Sequence, residues 1–147
     1  MIGKVIELFI TQEDESKKRV SVQSLAADLK GIVGDKFYGK NLQRSILITA
    51  TDSYAIATKN DVDIAVGSLG ENILIDINPY HLLPGEKIKI GSLEFEITQN
   101  GTLCKGLSSV NTKLPKLLKN DRGVFVKMIT QEGMVRVGDK VEIFKSK

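Results

Sequence analysis

Short apolar runs, each closed by a glycine-containing turn, recur along the whole chain and predict a protein built mainly of β-strands. Val5, Ile6, Leu8, Phe9 and Ile10 form a first run, apolar enough for a sheet interior. Ser45-Ile46-Leu47-Ile48-Thr49 and Ile73-Leu74-Ile75-Asp76-Ile77 are two more, rich in β-branched residues. The clearest element spans Lys87 to Ile97. There Gly91-Ser92 suits a tight hairpin turn, because glycine at the first central position accepts a positive φ. Folding at that point sets Ile90 against Leu93 and Ile88 against Phe95, and it sets Lys89 against Glu94 and Lys87 against Glu96. One face is then apolar and the other charge-complementary, so turn chemistry and register agree.

Gly123-Val124-Phe125-Val126-Lys127-Met128-Ile129 predicts a late strand. Val135–Val137 and Val141–Phe144 flank Gly138-Asp139. A two-residue turn there would pair Val137 with Lys140 and Arg136 with Val141, mixing the faces, so this connection is not a simple hairpin. Helix is scarce. One short helix is expected after Thr51 or Asp52, either of which could cap Ser53 to Thr58. Another is expected over 113–119, where Leu114, Leu117 and Leu118 have helical spacing and Pro115 stands early. The stretch from Glu13 to Arg19 reads as a charged, mobile turn. Three Gly-acid-Lys steps, at Gly34-Asp35-Lys36, Gly85-Glu86-Lys87 and Gly138-Asp139-Lys140, read as repeated strand-opening turns. Many short strands with regular turns predict a closed or partly closed β-barrel with a few short helices.

At 147 residues, with no composition break that would serve as a linker, the chain is expected to form a single domain over 1–147. No apolar run reaches the roughly 18 residues of a membrane span, and the first residues lack a signal-peptide layout. A single cysteine permits no internal disulfide, which favours a reducing cytoplasm. The net charge of +3 is unevenly spread: residues 1–104 carry 11 Lys/Arg against 14 Asp/Glu, and residues 105–147 carry 10 against 4. A basic last third can meet an anionic partner, although lysine-rich solvated faces have the same appearance. Nucleic acid is the less favoured partner, because aromatics are only 5% of the chain and the expected strand faces lack ring clusters for base stacking.

Familiar catalytic signatures are missing. The sequence has no Gly-x-Gly-x-x-Gly, no phosphate loop and no Cys-x-x-Cys. His81, the only histidine, stands between Pro79 and Pro84 and reads as a loop or packing residue. One His and one Cys cannot build a structural zinc site without carboxylates. Cys104 is the remaining candidate. Thr98-Gln99-Asn100-Gly101 and Gly106 place it in a loop, and Lys105 beside it favours thiolate over thiol. A buried, inert cysteine is the equal alternative on these residues alone.

Several segments, taken in order, resemble the MOSC family, named for the C-terminal domain of molybdenum cofactor sulfurases. They are Gly34-Asp35-Lys36 through Arg44-Ser45-Ile46; Gly70-Glu71-Asn72-Ile73; Leu83-Pro84-Gly85-Glu86 to Ile90-Gly91; Thr98 to Cys104; and Arg122 through Gly138-Asp139. The resemblance spans residues 2–144 and implies a β-barrel with a cleft around the cysteine. It implies binding of molybdenum cofactor (molybdopterin) or sulfur transfer, and in some relatives reduction of N-hydroxylated compounds. Cys104 would be the sulfur carrier or a molybdenum ligand. Arg44 would hold a phosphate or carboxylate, Glu71 and Asn72 would shape the cleft floor, and Arg122 would add a second positive contact. Sulfur donors or molybdenum-cofactor proteins are the implied partners. Pyridoxal phosphate belongs to a different domain of the fused sulfurases and is not expected here. Two departures stand out: Phe37 stands where family members often have His, and no second cysteine follows Cys104, which removes a two-thiol relay.

Overall fold

A computed structural model describes residues 1–12, 19–101 and 110–144. Its elements are β1 (Ile2–Thr11), β2 (Arg19–Val22), β3 (Ser24–Asp28), β4 (Gly31–Ile32), β5 (Ile46–Ala50), α1 (Thr51–Lys59), β6 (Ile73–Ile75), β7 (Lys87–Ile90), β8 (Leu93–Asn100), α2 (Leu114–Leu117), β9 (Val124–Met128), β10 (Glu132–Arg136) and β11 (Lys140–Phe144). Seven strands close a barrel in the order β11-β7-β8-β9-β5-β6-β1, and β1 pairs back onto β11 through Gly3 and Val141. The expected β-barrel is therefore present, and it is closed. All its pairings are antiparallel except β5–β6, where the chain crosses over through α1. β2 extends the barrel sheet by pairing with the second half of β1, and β10, β3 and β4 form a small second sheet.

The β7–β8 hairpin has the register expected from the alternation: Ile90 opposes Leu93, Ile88 opposes Phe95, Lys89 opposes Glu94 and Lys87 opposes Glu96. Gly91 adopts φ 60°, the left-handed conformation its turn requires. Glu96 makes its ion pair with Lys127 of β9 at 3.4 Å, a part-exposed contact worth about 0–1 kcal/mol. Ile88, Ile90, Phe95 and Ile97 point inward and are buried with Val126, Val141 and Ile143 in one core. β5 is buried at every position, as a strand covered on both faces should be.

Gly138-Asp139 does not make a hairpin, as the mixed faces indicated. β10 pairs with β3 in the small sheet, whereas β11 enters the barrel. Gly85 and Gly138 have positive φ and lead into β7 and β11, but Gly34 leads into a turn and not a strand. Both helices fall where expected. Neither Thr51 nor Asp52 caps α1, however: Ala50 is the N-cap, without a side-chain bond, and Asp52 lies in the first turn, where its charge suits the helix dipole. Pro115 occupies the first turn of α2. Glu13 to Lys18 of the anticipated charged turn lie outside the described residues, and Arg19 opens β2. Among the described residues no helix is long and apolar enough to cross a membrane.

Candidate functional site: a cationic cleft beside the barrel

A cleft of about 450 Å³ opens where the start of β2, the 37–45 loop, the head of β5, the turn into β6 and the approach to β9 meet. That volume suits a small-molecule or cofactor site. Arg19, Lys40, Arg44 and Arg122 give it four basic side chains from three segments: the start of β2, the 37–45 loop and the approach to β9. Phe37, Leu47 and Phe125 supply an apolar wall. Among the described residues, no three His, Cys, Asp or Glu side chains converge as a metal cage.

Each basic group is held differently. Arg44 is exposed, and its guanidinium carbon lies 5.0 Å from the centroid of the Phe125 ring, a cation–π distance. Arg122 is buried, 8% exposed, and its Nη2 donates to the Leu69 carbonyl at 3.4 Å. Arg19 donates from Nη1 to the Thr11 hydroxyl at 2.7 Å and from Nη2 to the Glu71 carbonyl. Burial pushes the Arg19 guanidinium below its ordinary pKa, and the negative charges of Glu71 and Asp35 oppose that shift. A half-buried cation whose desolvation outweighs its compensation favours an added anion.

Asn72 ties the cleft floor together. Its Oδ1 accepts from the Leu47 backbone N–H at 3.1 Å, and its Nδ2 donates to the Phe9 carbonyl at 3.3 Å and to Asp35 Oδ1 at 3.2 Å. Asp35 also accepts from the backbone N–H groups of Thr11 and Phe37, at 2.8 and 3.1 Å. The Gly-Asp step thus anchors the loop that carries Phe37 and Lys40 onto β1. Glu71 is placed differently from its neighbour. It is fully buried and is not among the residues lining the cleft. Its Oε2 accepts from the Thr49 hydroxyl at 2.8 Å, from the Tyr54 hydroxyl and from the Gly67 N–H at 3.4 Å. Burial and the Glu71 charge hold the Tyr54 phenol well above the usual tyrosine range, so it remains a donor.

Of the expected site residues, Arg44, Asn72 and Arg122 therefore meet at one cleft, Glu71 buttresses it from behind, and Cys104 lies outside the described residues. Gly101 is the nearest described residue before Cys104, and its N–H donates to the carbonyl of Gly123, the residue after Arg122, at 2.7 Å. A Cβ on Gly101 would come 2.8 Å from that carbonyl oxygen, a backbone atom with little room to yield. Gly101→Ala is accordingly expected to destabilise the fold by about 1–3 kcal/mol, read as a lower midpoint in urea. An unchanged midpoint would mean that the two backbones part freely.

Arg19, Lys40, Phe37 and Phe125 line the cleft without having been nominated as site residues from the sequence. For Arg19 a signal existed, because Arg19-Val20-Ser21-Val22 alternates as an edge strand does.

The fold and the site define a closed β-barrel domain with a basic, part-aromatic cleft outside its wall. Residues 28–142 match the model of the MOSC domain, and the chain belongs to that family, which is linked to the molybdenum cofactor. Its fold is similar to that of the YuaD protein from Bacillus subtilis (TM-score 0.84, 19% identity, covering 100% of this chain and 98% of that one). It is also similar to YiiM from Geobacillus stearothermophilus (TM-score 0.74, 13% identity, 97% and 75% covered). YiiM from Escherichia coli has the same TM-score of 0.74 at 17% identity, with 100% and 71% covered. No curated protein matches the sequence.

Proposed function

We propose that the chain binds molybdenum cofactor in this cleft, with Cys104 as the thiol that ligates molybdenum or carries sulfur. The convergence of Arg19, Lys40, Arg44 and Arg122 on one cleft of about 450 Å³ carries the reading. A guanidinium fork matches the oxygens of a phosphate, and an aromatic wall accepts a planar ring. The donor set therefore fits a phosphate-bearing pterin. When bound, the cofactor supplies the redox and sulfur chemistry of molybdenum. The chain's own residues do the rest: Arg122 and Arg44 hold the anion, Phe125 and Leu47 shield the ring from water, and Asn72 fixes the floor.

Gly101, three residues before Cys104, is pinned beside Arg122-Gly123, which supports the thiol's membership of the same site. A thiolate is both a metal ligand and a sulfur nucleophile, and basic neighbours favour its formation. In the sulfur-carrying role it attacks the outer sulfur of a donor persulfide. The donor's S–S bond breaks, its thiolate leaves, and the outer sulfur remains on Cys104 without net oxidation.

The test is to incubate the protein and its Cys104→Ser variant with molybdenum cofactor and assay bound pterin and molybdenum separately. The wild type is expected to retain both, and the variant to retain pterin while losing most of the metal. Absence of pterin from both proteins would sink the cofactor reading. Molybdenum held equally by both would remove Cys104 as a ligand and leave persulfide transfer, measurable as a 32-dalton-scale mass gain, roughly one sulfur atom, on Cys104.

A further inference from the structure

Behind Arg122 lies a chain of buried hydroxyl groups that the cleft itself does not use. The Ala50 N–H donates to the Tyr80 hydroxyl oxygen at 2.8 Å, the Tyr80 and Ser53 hydroxyls lie 2.5 Å apart, and the Ser53 hydroxyl bonds to the Asp121 carbonyl. The direction of every proton follows from the chemistry of the groups. A carbonyl only accepts, so Ser53 donates to Asp121. Ser53 has then spent its one proton and must accept from Tyr80. Tyr80 in turn accepts from Ala50. Three bonds thus run head to tail from the β5–α1 junction to the residue before Arg122, and each polarises the next.

The donors and the hydroxyls are shielded, Ser53 and Ala50 being fully buried and Tyr80 8% exposed, and only Asp121 at the end of the relay is part-exposed. Burial raises the Tyr80 pKa, which keeps its proton available for donation. Tyr80 is itself held from both sides of its backbone. Its N–H donates to Asn78 Oδ1 at 2.8 Å, and its carbonyl accepts from Asn100 Nδ2 at 3.5 Å, at the end of β8.

We infer that Tyr80 and Ser53 are positioning residues for Arg122, fixing through the Asp121 carbonyl where its guanidinium stands in the cleft. Neither hydroxyl lines the cleft, so the effect is transmitted through the backbone of 121–122. The inference builds on the reading of the cleft as an anion site only for its consequence in binding, and it has a readout that needs no ligand.

That readout is the side-chain Nε–Hε resonance of Arg122 in the full-length, nitrogen-15-labelled protein, assigned by its loss in Arg122→Lys. Tyr80→Phe keeps the ring and removes the hydroxyl; Ser53→Ala cuts the same relay one bond later. Both are expected to shift or broaden the Arg122 signal and to weaken binding of inorganic phosphate roughly fivefold to tenfold. Ile88→Val, in β7 and outside the cleft lining, serves as a control of general destabilisation and is expected to leave both readings unchanged. An Arg122 signal unmoved in both relay variants would overturn the inference. So would a signal moved equally by the control. If the wild type ignores phosphate, the anion reading of the cleft falls, while the Arg122 resonance still decides the positioning role.

Discussion

Arg122→Ala is expected to weaken binding of a phosphate-bearing ligand by roughly ten- to a hundredfold, the largest functional loss of any single change in the cleft. Arg44→Ala is expected to cost only a few-fold. The difference comes from the surroundings of the two guanidinium groups. Arg44 is exposed and stacked on Phe125, so water screens its charge and the ring already occupies one of its faces. Arg122 is buried, and an ion pair formed there acts through a medium of lower effective dielectric than water. Arg122→Lys keeps the charge but loses the planar fork, and should fall between wild type and alanine. Titration calorimetry with inorganic phosphate and with the cofactor, at two salt concentrations, measures all three. Equal losses for Arg44→Ala and Arg122→Ala would show that burial does not set the strength of the contact.

Glu71→Ala is expected to lower stability by about 3–5 kcal/mol, the largest stability effect of any cleft-associated residue. The buried carboxylate gathers the Thr49 and Tyr54 hydroxyls and the Gly67 N–H, and its charge helps to offset the half-buried Arg19 cation. Alanine would strand the Thr49 and Tyr54 hydroxyl donors and leave Arg19 less compensated, while the Gly67 N–H keeps its 2.8 Å bond to the Tyr54 hydroxyl. Glu71→Gln keeps an amide oxygen that can stand in the place of Oε2, with its NH2 where Oε1 has no hydrogen-bond partner, and should cost less than half as much. Urea unfolding of the three proteins distinguishes these cases. A loss under about 1 kcal/mol for alanine would mean that water replaces the carboxylate and that the cluster is wetter than its burial implies.

What could be read from the sequence was whatever local chemistry enforced. At 87–97 the alternation, the Gly91 turn and the opposed charges all require one register, and that register is present. β3 and β4 left no such mark. Ala26, Ala27 and Gly31 are small residues with weak strand preference, and β3 is stabilised by pairing with β10, more than a hundred positions later. The cleft shows the same division. Arg44, Asn72 and Arg122 were nominated through short segments resembling a known family, and they do meet. Arg19 joins them only after β2 pairs with β1: the alternation of Arg19 to Val22 signals a strand but not its partner. Phe37 was noted for the histidine it replaces. Its own contribution, an apolar ring on the cleft wall, depends on Asp35 anchoring its loop to β1.

The pairing of β1 with β11 bears on how the molecule is made. Met1 and Ile143 exchange backbone hydrogen bonds, so β1 waits for β11, which is synthesised long after it. During synthesis the lower half of β1 presents an unpaired edge, and the hairpin of β7 and β8 can form well before the ring has a closing partner. A nascent chain stalled before residue 140 would therefore hold a curled open sheet, a natural substrate for holding chaperones and a target for proteolysis. The same adjacency means that a short linker from Phe144 to Met1, with the chain reopened between β10 and β11, would place β11 beside β1 from the start and convert this late step into an early one.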